Sequence, residues 1–120
     1  MSTILVVDDY SVTLRVLSTQ LRKHGYDVMT ASSAREALAL LAETPADLAL
    51  LDIAMPEVDG LMLLRQLRSD PRYRAMPIIM LTASGQDHDR IVAREAGAND
   101  FLSKPVSSRE LLDAVQRLLP

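Results

Sequence analysis

Three uninterrupted apolar runs, Ile4-Leu5-Val6-Val7, Leu48-Ala49-Leu50-Leu51 and Ile78-Ile79-Met80-Leu81, recur along this chain, with stretches of helical periodicity between them. Four apolar residues in succession suit a strand buried on both faces, because a half-buried strand alternates. Strands of that kind belong to parallel sheets, whose neighbours are joined by crossover helices. The remaining segments fit the same scheme. Helical periodicity over 11–24 stops at Gly25, a good C-terminal cap, and Asp27–Ala31 alternates like a strand. Ser33-Ala34-Arg35-Glu36 has capping-box spacing and opens a helix through about Glu43. Further helices are read over 61–68, 87–96 and 108–119, with Asp70-Pro71 and Gly97 as breaks and Phe101-Leu102 as a short last strand.

Five strand–helix pairs predict an α/β fold with one doubly wound parallel sheet. The three continuous runs should be central, and strands two and five, which carry polar residues, should be edges. Right-handed crossovers then favour the flavodoxin-like order 2-1-3-4-5, with a crevice at the carboxyl ends of strands one and three. A length of 120 residues fits a single domain over 1–120, with no effector domain expected. The 48% hydrophobic content suits a globular core, and with 3% aromatics that core must be aliphatic. The absence of cysteine excludes a disulfide scaffold, a thiolate metal site and a cysteine nucleophile. A net charge of −3 argues against broad nucleic-acid binding. No apolar run approaches the roughly 20 residues of a membrane span, and the N-terminus carries no signal-peptide pattern. The expectation is a soluble cytoplasmic domain.

Candidate chemistry collects at strand ends. Asp8 and Asp9 follow strand one, Asp52 ends strand three, Thr82 ends strand four, and Lys104 follows strand five. If strands one and three are neighbours, three carboxylates meet in the crevice. Their mutual repulsion is relieved by a cation, and hard oxygen ligands with room for water suit Mg²⁺. The competing role for Asp9 is that of a helix N-cap. Thr82 offers a hydroxyl donor, and Lys104 offers a mobile ammonium able to reach a phosphoryl oxygen.

Asp8-Asp9, Asp52 with Met55-Pro56-x-x-Asp59-Gly60, Thr82-Ala83 and Lys104-Pro105 together resemble the signature of a response-regulator receiver domain of the chemotaxis-regulator type, over essentially the whole chain. The resemblance implies a phosphoacceptor module of a two-component or phosphorelay system, and not an enzyme proper. Asp52 would take a phosphoryl group from a phosphohistidine on a sensor histidine kinase or histidine phosphotransfer protein. Asp8, Asp9, Asp52 and the backbone carbonyl of Ala54 would hold Mg²⁺. Thr82 and Phe101 would switch the face formed by helix four, strand five and helix five toward a downstream target or effector domain, and Ala54 and Ser84 would set the phosphoryl lifetime. It also implies a cis Lys104-Pro105 bond, and a monomer or a phosphorylation-dependent dimer.

Two other functions fit the topology less well. A Mg²⁺-dependent phosphohydrolase needs a second acid or base and a covering domain, and a flavin carrier needs a first loop free of negative charge. Transcription factor, cyclase or hybrid kinase remain open as larger proteins for such a receiver. On the first helix Val12, Thr13, Leu14, Val16, Leu17 and Leu21 spread over about 200° of arc, wider than a one-sided core stripe. One margin, Leu14 or Val12, is therefore expected to be exposed and to dock the donor's helix bundle. His24, His88 and the Arg72-Tyr73-Arg74 loop are read as solvated.

Overall fold

The computed structural model describes residues 2–55, 59–83 and 87–119, apart from the side chains of 87 and 88. Five strands, β1 (Thr3–Val7), β2 (Asp27–Ala31), β3 (Leu48–Asp52), β4 (Ile78–Thr82) and β5 (Asp100–Ser103), form one parallel sheet in the order β2-β1-β3-β4-β5. Five helices alternate with them, α1 (Ser11–Lys23), α2 (Ala34–Glu43), α3 (Gly60–Ser69), α4 (Asp87–Glu95) and α5 (Ser108–Leu118). Every residue of β3 and β4 is buried, whereas β2 and β5 are only partly covered. That contrast is what separates central from edge strands in a doubly wound sheet.

Side-chain alternation along the strands divides the core in two. Leu5, Val7, Ala49, Leu51, Ile78 and Met80 face α2, α3 and α4. Ile4, Val6, Leu48, Leu50, Ile79 and Leu81 face α1 and α5. The helix starts follow local chemistry. Ser33 Oγ accepts from the Glu36 N–H at 3.1 Å, Asp59 Oδ1 from the Met62 N–H at 2.9 Å, and Ser107 Oγ from the Glu110 N–H at 3.1 Å. Asp59-Gly60 is thus a helix start, and Gly60 is required there because a Cβ would lie 1.9 Å from the Asp52 carbonyl oxygen. The close approach brings the start of α3 against the end of β3.

The 70–76 connection departs from the solvated loop read in the sequence. Arg72 and Arg74 are exposed, and Arg72 pairs with Asp70 at 2.9 Å, but Tyr73 is buried in the core beside Met76. Two turns of backbone hydrogen bonds, Tyr73 and Arg74 N–H to the Asp70 carbonyl and Met76 N–H to the Tyr73 carbonyl, fold the segment back. Arg68, at the end of α3, holds it there. Its Nη1 donates to the carbonyls of Tyr73, Arg74 and Met76, its Nε to the Gly97 carbonyl at 2.9 Å, and its Nη2 to Asn99 Oδ1 at 2.8 Å. Gly97 adopts φ 109° directly beneath this side chain.

Candidate functional site

The carboxyl edge of the sheet gathers the charged strand ends. Asp8 leaves the end of β1 fully buried, and Asp52 at the end of β3 is almost as enclosed, while Asp9 is exposed at the rim. One carboxylate oxygen from each of the three lies within 4.8 Å of the others. Each buried carboxylate is oriented by the backbone just past it: Asp8 Oδ1 accepts from the Tyr10 N–H at 2.9 Å, and Asp52 Oδ1 from the Ala54 N–H at 3.3 Å. Neither Asp8 nor Asp9 caps α1. The cap position falls on Tyr10, whose side chain makes no capping bond.

Lys104, just past β5, reaches into this cluster with Nζ 2.6 Å from Asp8 Oδ2 and 3.3 Å from Asp52 Oδ1. The Asp8 contact is the shorter of the two ion pairs, and it joins a partly exposed ammonium to a fully buried carboxylate. The Lys104-Pro105 peptide is cis, and the Lys104 N–H donates to the Thr82 carbonyl at 2.7 Å, which ties the lysine's backbone to the end of β4. Burial pushes the Asp52 carboxyl up from 3.8 to about 6, with the Asp8 charge adding to the rise and Lys104 and the Ala54 N–H opposing it. For Lys104, burial acts downward, but contact with Asp8 and the charges of Asp52 and Asp8 outweigh it and the net shift is upward.

Among the described residues, three carboxylates against one ammonium leave two negative charges in a pocket where two of the acids are buried, a balance that a divalent cation completes. The donors are all hard oxygens. Two oxygens on one small dication at about 2.1 Å from it lie at most about 4.2 Å apart. A cluster held within 4.8 Å fits such an ion with little movement. Thr82 adds a second sign of an awaited ligand: it is fully buried, and its hydroxyl has no hydrogen-bond partner among the described residues.

The other singled-out residues divide. Ala54 is exposed at the lip of the pocket. Phe101 is half-buried on β5, packed against the core below and covered on its outer side by Arg90 and Arg94. Ser84 lies outside the described residues. On α1 the exposed margin is Val12 together with Val16, both roughly half accessible, whereas Leu14 is half-buried and packs against the α1–α5 core. Tyr10, Val12, Thr13, Val16, Pro105 and Val106 line a groove of about 400 Å³ that runs up to Lys104. Val16 could have been chosen from its helical phase one turn beyond Val12.

A flavodoxin-like sheet with an acidic, lysine-bridged pocket at its carboxyl edge defines a module of receiver type, in which a phosphoacceptor role is typical. The family model for the response regulator receiver domain matches residues 4–116, and the chain belongs to that family. Receiver domains of this family are two-component signalling modules. The chain is 44% identical over 116 residues to the transcriptional regulatory protein GltR of Pseudomonas aeruginosa, covering 97% of this chain and 48% of that protein. It is 35% identical to protein PilH of the same organism, covering 99% of this chain and 98% of PilH. A putative response regulator from Chloroflexus aurantiacus superposes with a TM-score of 0.94 at 38% identity, covering 98% of this chain and 97% of that one. The chain thus spans about half of one curated relative and nearly all of another. The acidic cluster is consistent with the metal site of receiver domains, and no helix among the described residues is long and apolar enough to cross a membrane.

Proposed function

We propose that residues 1–120 act as a single phosphoacceptor domain in which Asp52 takes a phosphoryl group from a phosphohistidine on a sensor histidine kinase or histidine phosphotransfer protein. The observation that carries this reading is the position of Lys104 Nζ, within ion-pairing distance of both buried carboxylates while Asp52 keeps a carboxyl raised to about 6. In the transfer, an Asp52 oxygen forms a P–O bond as the P–N bond to the donor imidazole breaks, and the ring nitrogen leaves with that electron pair. Lys104 neutralises charge on an equatorial phosphoryl oxygen, and the Thr82 hydroxyl, unpartnered among the described residues, donates to another. Asp8, Asp9, Asp52 and the carbonyl of Ala54 would hold Mg²⁺, which when bound would supply positive charge to the transferring group.

The hydroxyl of Thr82, drawn toward the phosphoryl group, opens space for Phe101 and so alters the face made by α4, β5 and α5 toward a downstream target, a second copy or an attached effector domain. Ala54 and Ser84, both small, tune access of water to the acyl phosphate. The groove between α1 and Pro105-Val106 receives the donor's helix through its exposed Val12 and Val16, with the half-buried Leu14 behind them. This chemistry belongs in the cytoplasm, where donor kinases present their phosphohistidine. Incubation with acetyl phosphate and Mg²⁺ separates signalling from hydrolysis. Stoichiometric, acid-stable and alkali-labile label on Asp52 supports the phosphoacceptor reading, whereas many turnovers with release of inorganic phosphate would replace it with a phosphohydrolase.

A further inference from the structure

One contact on α4 is not used by the phosphoacceptor chemistry. Arg90 and Arg94 stand one helical turn apart, and both guanidinium carbons lie over the Phe101 ring, at 4.7 and 5.2 Å from its centroid. Arg90 is fixed at a second point, its Nη2 donating to Ser103 Oγ at 3.1 Å, while its Nε is buried with no partner among the described residues. With Ile91 and Glu95, these side chains line an open cavity of about 500 Å³. Two like charges at this spacing repel each other on a helix. Here they share one aromatic ring, which attracts both.

We propose that Arg90 and Arg94 are positioning residues that latch Phe101 against α4 in the unphosphorylated protein and so set how readily Asp52 is brought into its phosphorylated form. The inference rests on the reading in which Phe101 couples Asp52 to the output face. Rotation of the ring toward the space beside Thr82 takes it away from both guanidinium groups, so each contact biases the equilibrium against the switched conformation. Linkage makes that bias reciprocal. A ligand at Asp52 that favours the switched form binds more weakly by the factor the latch imposes. For partly exposed cation–aromatic contacts that factor is about two- to fivefold per arginine.

The experiment measures beryllofluoride affinity of the full chain in saturating Mg²⁺, followed by fluorine NMR of the bound ion. Arg94→Gln, a substitution at an exposed position, and Arg90→Gln are each expected to tighten binding about two- to fivefold. Arg94→Lys keeps a cation over the ring and should remain close to the parent. In a Phe101→Leu background the Arg94→Gln change should have no further effect. Unfolding midpoints measured on the same samples identify any variant whose fold is impaired, and Arg94→Gln alone suffices to decide. Unchanged or weakened binding in Arg94→Gln overturns the latch. Equal tightening in Arg94→Gln and Arg94→Lys also overturns it, since the ring contact would then be irrelevant. If the parent chain fails to bind beryllofluoride at all, the phosphoacceptor reading itself falls.

Discussion

Replacing Asp52 with asparagine is expected to stabilise the folded chain at neutral pH, although it removes the reactive group. Burial and the Asp8 charge raise this carboxyl from 3.8 to about 6, so the native state binds a proton more readily than the unfolded chain does. The stability that follows from this preference is fully present below 3.8 and is lost as pH rises through about 6. Above that pH the folded domain carries an anion that its surroundings disfavour. At about 1.4 kcal/mol per pK unit, a rise of roughly two units sets a ceiling of ~3 kcal/mol. Asparagine keeps an acceptor for the Ala54 N–H but gives up the pairing with Lys104 at 3.3 Å. A net gain of ~2 kcal/mol is therefore expected, about 6–12 °C in Tm for a domain of this size. The assay is thermal or urea unfolding of both proteins in chelator at about pH 8 and again at about pH 4, where most of the advantage should vanish. Equal stability at the higher pH, or an undiminished advantage at the lower, refutes the electrostatic account of the pocket.

Four further outcomes follow from the same geometry. Because protons and Mg²⁺ compete for Asp52, calorimetric titration should show Mg²⁺ affinity falling toward tenfold per pH unit below about 6 and levelling off above it. Lys104→Met leaves Asp8 and Asp52 without their shared cation and should cost ~1–3 kcal/mol in urea unfolding at about pH 8, much of it restored by Mg²⁺. Arg68→Ala removes donors to four carbonyls and to Asn99 and should destabilise the chain by ~2–4 kcal/mol, measured by chemical denaturation, with early loss of amide protection at 97–99. Val12→Arg should slow phosphotransfer from a cognate histidine donor about tenfold or more while leaving labelling by acetyl phosphate unchanged, since Val12 lines the α1 groove but lies outside the acidic cluster.

Much of the fold was legible because its strongest signals are local. Continuous burial of β3 and β4 is written directly as apolar runs, and the caps of α2 and α5 depend on a serine three residues before a glutamate. The pocket was legible for a different reason: in a parallel sheet, residues that follow adjacent strands must share one edge, so Asp8, Asp52, Thr82 and Lys104 are brought together by strand order alone. Contacts between distant segments were not legible. Arg68 looks like any surface arginine near a helix end, and its acceptors are backbone carbonyls that carry no side-chain code. Tyr73 sits among polar residues and is buried only because that clamp folds its loop inward. Likewise the width of the apolar arc on α1 announced an exposed margin, but its assignment to Val12 and Val16 depends on how α1 rolls against β1 and α5.

The most direct test of the central claim locates the phosphoryl group itself. After exposure to acetyl phosphate, borohydride reduction converts an aspartyl phosphate to homoserine, and tandem mass spectrometry assigns its position. Homoserine at position 52 alone, appearing with Mg²⁺ and suppressed by chelator, is the predicted result. Modification at another aspartate in the intact chain, or equal labelling with and without the metal, would contradict it.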